Sequence, residues 1–141
     1  MTNLRLTVPF LWVADMAASL RFYVDGLGFT QTRAWIPHDV VEWCWLERDG
    51  VALMLQQYRE GRVPADTRGV GISLCYQCDD ALALYREFIG RGLAPKRPFV
   101  GNGLWVVMIS DADGYRLEFA SLADLPEETE YDAAQHDKKV I

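Results

Sequence analysis

Apolar residues along this chain fall in short runs whose spacing changes between period two and a helical three-to-four. The run LTVPFLWVA ends at Asp15, after which Met16, Leu20, Tyr23 and Leu27 recur at helical spacing. An Asp at that junction can accept hydrogen bonds from the free N–H groups of a first helical turn, and Gly28 supplies the left-handed backbone that ends a helix. Asp79 and Gly92 frame the segment DALALYREFIGR in the same way. Asp49-Gly50 and Asp113-Gly114, each between apolar runs, are hairpin signals because both residue types accept positive φ. The pattern predicts strands over residues 4–13, 29–35, 40–48 and 51–58, then 70–78, 93–99, 103–110 and 115–121. Charged residues and Pro64 mark 59–69 as a linker, and 123–141 reads as a polar C-terminal tail, a mobile arm with at most a helical turn.

The chain also repeats itself. A shift of 64 residues places Asp15 on Asp79, Leu20 on Leu84, Gly28 on Gly92, Asp49-Gly50 on Asp113-Gly114 and Leu53 on Leu117, without a gap. Each half, 4–58 and 70–122, then reads strand, helix, strand, strand, strand.

PFLWVADMAASLRFYVDGLGF resembles the opening strand and helix, and SDADGYRLEF the closing hairpin, of the vicinal-oxygen-chelate superfamily of glyoxalase, bleomycin-resistance and extradiol-dioxygenase proteins. The resemblance covers roughly residues 4–122, taken as a single domain. It implies an α+β fold in which two tandem βαβββ modules form curled mixed sheets around a cleft, with helices on the convex side. It says little about activity, because one scaffold hosts many chemistries.

Strand alternation sorts side chains between the two faces. If Asp49-Gly50 is a two-residue turn, Arg48 pairs with Val51, Leu46 with Leu53, Trp45 with Met54, Cys44 with Leu55 and Trp43 with Gln56. Leu53 and Leu55 then face the helix, as do Leu11 and Val13, leaving Trp43, Trp45, Met54, Gln56, Val8, Phe10 and Trp12 on the cleft face. The same count around Asp113-Gly114 puts Leu117 and Phe119 toward the helix and Glu118, Ala120, Trp105, Val107 and Ile109 toward the cleft, joined by Ile72, Leu74 and Tyr76. A longer loop would shift cross-strand partners. The expected ligand-binding set is Phe10, Trp12, Trp43, Trp45, Met54, Gln56, Trp105, Val107 and Glu118. Ordinary core packing is the competing reading of these tryptophans.

Metal-binding members of the family supply a His or Gln from each module's first strand and a carboxylate from its last. Carried over by position, those sites are Val8, Ile72, Met54 and Glu118, of which only Glu118 is a ligand for a hard cation. His38 and His136 read as surface histidines, and Gln56 with Glu118 makes a poor site. No metal and no cofactor is therefore expected. The resemblance narrows to the metal-poor, bleomycin-resistance-like branch: a small-molecule binding protein whose aromatic cleft sequesters a flat, possibly cationic ligand, with Glu118 as the acidic group. Whether Glu118 acts on a ligand or is solvated or structurally paired stays open. The alternative is a metal-dependent lyase, isomerase or dioxygenase of the same superfamily.

Composition adds exclusions. The 141 residues carry 20 acidic and 14 basic side chains, a net charge of −6, so no basic footprint for nucleic acid exists. No apolar run approaches the ~18 residues of a membrane span, and the N-terminus lacks the pattern of a signal peptide, so a cytoplasmic location is expected. Cys44, Cys75 and Cys78 are odd in number; they read as buried strand thiols rather than a disulfide or zinc framework. The family habit of pairing modules across subunits implies a C2 homodimer.

Overall fold

A computed structural model of the chain describes residues 1–137. It divides into two compact units, Met1–Asp66 and Thr67–Ile141. In the first, β1 (Phe10–Val13) leads into α1 (Met16–Leu20) and a π-type turn (Arg21–Gly26), followed by β2 (Thr30–Trp35), β3 (Trp43–Arg48) and β4 (Val51–Gln57). In the second, β5 (Ser73–Gln77) precedes α2 (Ala81–Gly90), β6 (Phe99–Gly101), β7 (Leu104–Ser110) and β8 (Arg116–Leu122), with a short α3 (Ala133–His136) beyond. Both sheets are four-stranded and mixed, in the orders β1-β4-β3-β2 and β5-β8-β7-β6. The expected α+β fold of two βαβββ modules is what forms. No helix among the described residues is long and apolar enough to cross a membrane.

The first unit follows the alternation read from its sequence. β3 and β4 pair Arg48 with Val51, Leu46 with Leu53, Trp45 with Met54, Cys44 with Leu55 and Trp43 with Gln56. Cys44, Leu46, Leu53, Leu55 and Val13 have no exposed surface, and α1 closes over them through Met16, which is also buried. β1 is shorter than the expected 4–13: it starts after Pro9, which has no N–H to give a ladder, and Leu4 and Leu6 are exposed.

The second unit departs at two places. Of the adjacent pair Asp79 and Asp80, it is Asp80 whose carboxylate accepts from a first-turn amide, that of Ala83 at 3.0 Å. The helix therefore starts 65 residues after α1, not 64, and the parallel register slips with it: Phe10 lies beside Met54, but Leu74 beside Leu117 and Tyr76 beside Phe119. The hairpin after β7 also has five loop residues, since Ser110 pairs with Arg116. Asp111 organises that loop by accepting from the amides of Asp113 and Tyr115, both at 2.9 Å and on the same carboxylate oxygen. Arg68 holds it from outside through a 2.8 Å ion pair with the buried Asp113. Gly69 (φ +72°) lies against the backbone of Gly114 and Tyr115, where an added Cβ would sit 2.6 Å away.

The expected arm at 123–141 is docked over its described part. Residues 123–137 fold back along β6, with Val100 donating to Thr129 and Glu128 donating to Val100, and Tyr131 buries beneath α3. Residues 138–141 lie outside the described part. Asp111→Ala should cost about 1–3 kcal/mol, because two buried amides lose their acceptor. Asp111→Asn keeps that oxygen and should cost much less; urea unfolding of the two variants checks the difference.

Candidate functional site

Side chains pointing away from α1 give the first unit an open face built in rows. Phe10, Met54, Trp45 and Arg33 form one row across the sheet, and Trp12, Gln56, Trp43 and Trp35 the next. Tyr58 extends β4 beyond that row, its amide bonded to Val13 O at 2.9 Å. Phe10, Trp12 and Trp35 are 45%, 40% and 56% exposed, so their rings are surface and not core. The Phe10 and Trp12 rings meet edge-on at 5.9 Å, and Trp12 and Tyr58 are 5.5 Å apart and tilted by 38°. The Arg33 guanidinium lies over the Trp45 ring, 4.8 Å from its centroid. Trp45 donates its indole N–H to Glu47 at 2.7 Å, which fixes the ring's orientation. Beside Trp12 and Tyr58 opens a depression of about 490 Å³, which Arg59 and Arg62 complete.

Six of the expected site residues thus share one face: Phe10, Trp12, Trp43, Trp45, Met54 and Gln56. Trp105 and Val107 do not belong to such a face. They pair with Ser121 and Phe119 and point toward α2, because the five-residue loop shifts β7 by one residue against β8 and inverts its two faces. Ile109, Leu74 and Tyr76 turn inward for the same kind of reason. Trp105 is 7% exposed and packs beneath the C-terminal segment, 5.0 Å from the His136 ring. His136 is thereby half-buried against a ring, and its Nδ1 accepts from the Asp132 amide at 2.9 Å. Core packing is the right reading for Trp105.

Glu118 lies in the second unit, on an open face shared with Ser73, Cys75, Gln77 and Met108. Its carboxylate stands 3.7 Å from the Arg116 Nε and accepts from the Cys75 thiol at 3.5 Å, while Arg116 donates to Ser73 at 2.9 Å. It is a paired group on a face without tryptophan. Desolvation, then the charge of Glu118 and its hydrogen bond, raise the Cys75 pKa, with Arg116 opposing. Cys75 is exposed, contrary to the expectation of a buried thiol; Cys44 is the buried one, its pKa pushed up to about 11 by burial.

The residues at the family's metal positions do not fit a metal. Counting from the capping Asp80 replaces Ile72 by Ser73, so the set becomes Val8, Ser73, Met54 and the ion-paired Glu118. No group of three or more His, Cys, Asp or Glu side chains placed to hold an ion occurs among the described residues.

Sequence reading missed Arg33, Trp35, Glu47, Tyr58, Arg59 and Arg62. Trp35 and Tyr58 carried a usable signal, since the alternation that places Trp43 and Gln56 extends to them. The arginines in the linker carried none.

A family model described as the Glyoxalase/Bleomycin resistance protein/Dioxygenase superfamily matches residues 5–119. No curated protein matches the chain. Among solved structures, TnmS3, an antibiotic binding protein from Streptomyces sp. CB03234, is similar at 21% identity with a TM-score of 0.63, over 86% of this chain and 100% of that one. The glyoxalase family protein from Enterococcus faecalis is similar at 17% identity and a TM-score of 0.66, over 83% and 97%. TioX from Micromonospora sp. ML1 is similar at 16% and 0.63, over 82% and 98%. At such identities the likeness is one of fold.

The Cys75 environment makes a checkable statement about pH. A carboxylate beside a thiol disfavours the thiolate, so Glu118→Gln should lower the pH at which Cys75 is half-maximally alkylated by iodoacetamide. Peptide mass spectrometry reads this at Cys75 alone, and an unchanged or raised midpoint would refute the coupling.

Proposed function

The chain belongs to the glyoxalase/bleomycin resistance protein/dioxygenase superfamily, and from that premise we propose that it is a small-molecule binding protein that holds a flat ligand on the open face of its first unit. The observation that carries this reading is the row of surface rings at Phe10, Trp12 and Tyr58, continued by Trp43 and Trp35, on a face that a solvated sheet would fill with polar side chains. Exposed aromatic surface of this extent marks a binding site more often than it is tolerated without use. Rings offer stacking to any planar ligand, with ring pairs worth about 0.5–1.5 kcal/mol beyond the area they bury. Met54 adapts to irregular shapes, and Gln56 offers hydrogen bonds at the centre of the face. That TnmS3 is an antibiotic binding protein on the same fold supports the reading by analogy.

The reading gives no metal a part, for the donor set argues against one. It includes a C2 homodimer, which the exposed Leu4 and Leu6 favour by leaving apolar surface to cover outside the ring face. Light scattering should give twice the 16.0 kDa of one chain, and a monomer mass across micromolar concentrations would remove this part.

Binding is tested with neutral 9-anthracenemethanol by equilibrium dialysis. Saturable binding is expected, and Trp12→Ala and Trp43→Ala should each weaken it by about 1–2 kcal/mol. Trp105→Ala, wherever it folds, should bind as the parent does. Equal affinity in all three variants and the parent would overturn the assignment of the face.

A further inference from the structure

At the Tyr58 end of the open face the chemistry changes from rings to cations. Four side chains line the depression of about 490 Å³: Trp12, Tyr58, Arg59 and Arg62. The two rings are tilted by 38°, and with Trp12 40% exposed and Tyr58 half-buried both form part of the cavity wall. A turn in which the Arg62 amide donates to Arg59 O at 2.9 Å brings both arginines to the same end. Both are exposed, and neither enters an ion pair with another described residue. Glu60 sits in the same turn but does not line the depression. The carboxylate on the open face, Glu47, is four residues along β3 from Trp43 and holds the Trp45 indole. At about 3.3 Å per residue it is about 13 Å from the row that carries Trp12.

Two exposed guanidinium groups beside two rings put local positive charge on a chain of net charge −6, whose general field repels anions. Guanidinium is planar and weakly hydrated; its donors match the paired oxygens of a carboxylate or sulfonate, and it stacks on aromatic surface. We infer that the ligand is a planar aromatic anion, whose ring system lies on Trp12 and Tyr58 and whose carboxylate-type group is received by Arg59 and Arg62. This rests on the reading of the open face as a ring-stacking site. It replaces the cation expected from Glu118, which lies in the other unit and is already paired with Arg116.

Three probes of one shape separate charge from stacking: anthracene-9-carboxylate, neutral 9-anthracenemethanol and protonated 9-(aminomethyl)anthracene, each followed by equilibrium dialysis. The carboxylate should bind about five- to thirty-fold more tightly than the alcohol, as two partly solvated charge-assisted contacts allow, and the ammonium more weakly than either. Added salt should narrow the gap. The double variant Arg59→Gln/Arg62→Gln should bring the carboxylate to the level of the alcohol and leave the alcohol unchanged, whereas Arg59→Lys/Arg62→Lys should keep part of the preference. An alcohol or ammonium that binds the parent as tightly as the carboxylate, or a preference that survives in the glutamine variant, overturns the inference. If Trp12→Ala still weakens the alcohol in that case, the stacking face stands without it. Failure of all three probes to bind overturns the stacking face and the inference together.

Discussion

In each unit the first strand must be held in parallel beside the last, although a helix and two strands lie between them in the chain. Parallel neighbours cannot be joined by a tight turn, so the contact is won only after the whole module has been laid down. A side chain from the end of the last strand secures it. Gln57 accepts the first helical amide, that of Met16, at 2.7 Å and donates to the Ala14 carbonyl at 2.6 Å. Ser121 accepts the amide of Ala81 at 2.8 Å in the second unit. The bonds from the Met16 and Ala81 amides each satisfy a helix-end donor that would otherwise be orphaned, and they tie the helix start to the last strand. The buried and open faces follow from that register.

The same architecture then carries two different surfaces. The open face of the first unit is a field of rings that passes into arginines at one end. That of the second is mixed, with Ser73, Cys75 and Gln77 on one side of a carboxylate paired with Arg116 and Met108, Val106 and Phe99 on the other. An ion pair at that exposure contributes little to stability. Together with the Cys75 thiol, it leaves the Glu118 carboxylate already engaged within its own sheet. On the proposed reading, charge recognition falls to the same unit as the stacking surface.

Much of this was legible in the sequence, and the misassigned strand faces have one cause. Capping Asp15, the Asp49-Gly50 turn and strict alternation located every side chain of β3 and β4. The gapless repeat of 64 residues misled because two opposite slips cancel within it. Asp80, not Asp79, caps α2, which moves β5 and the helix forward by one, while the loop organised by Asp111 moves β7 back by one. A strand's faces exchange with each single-residue slip, so Trp105 and Tyr76 were assigned to the wrong side while Glu118 was assigned to the right one. The arginines at 59 and 62 were hidden differently. A charged, proline-containing stretch reads as a linker, and nothing in its composition says that a turn returns it to the sheet.

The docking of the C-terminal segment on Trp105 has a spectroscopic consequence. Of the five tryptophans, Trp12, Trp35, Trp43 and Trp45 lie on the open face of the first unit, and only Trp105 is enclosed, against Tyr131 and His136. The protein's emission is therefore a sum of two populations that report on different events. The more exposed indoles should emit at longer wavelength, and Trp105, packed beside the His136 ring, at shorter wavelength, so the blue edge of the spectrum should follow the attachment of residues 123–137.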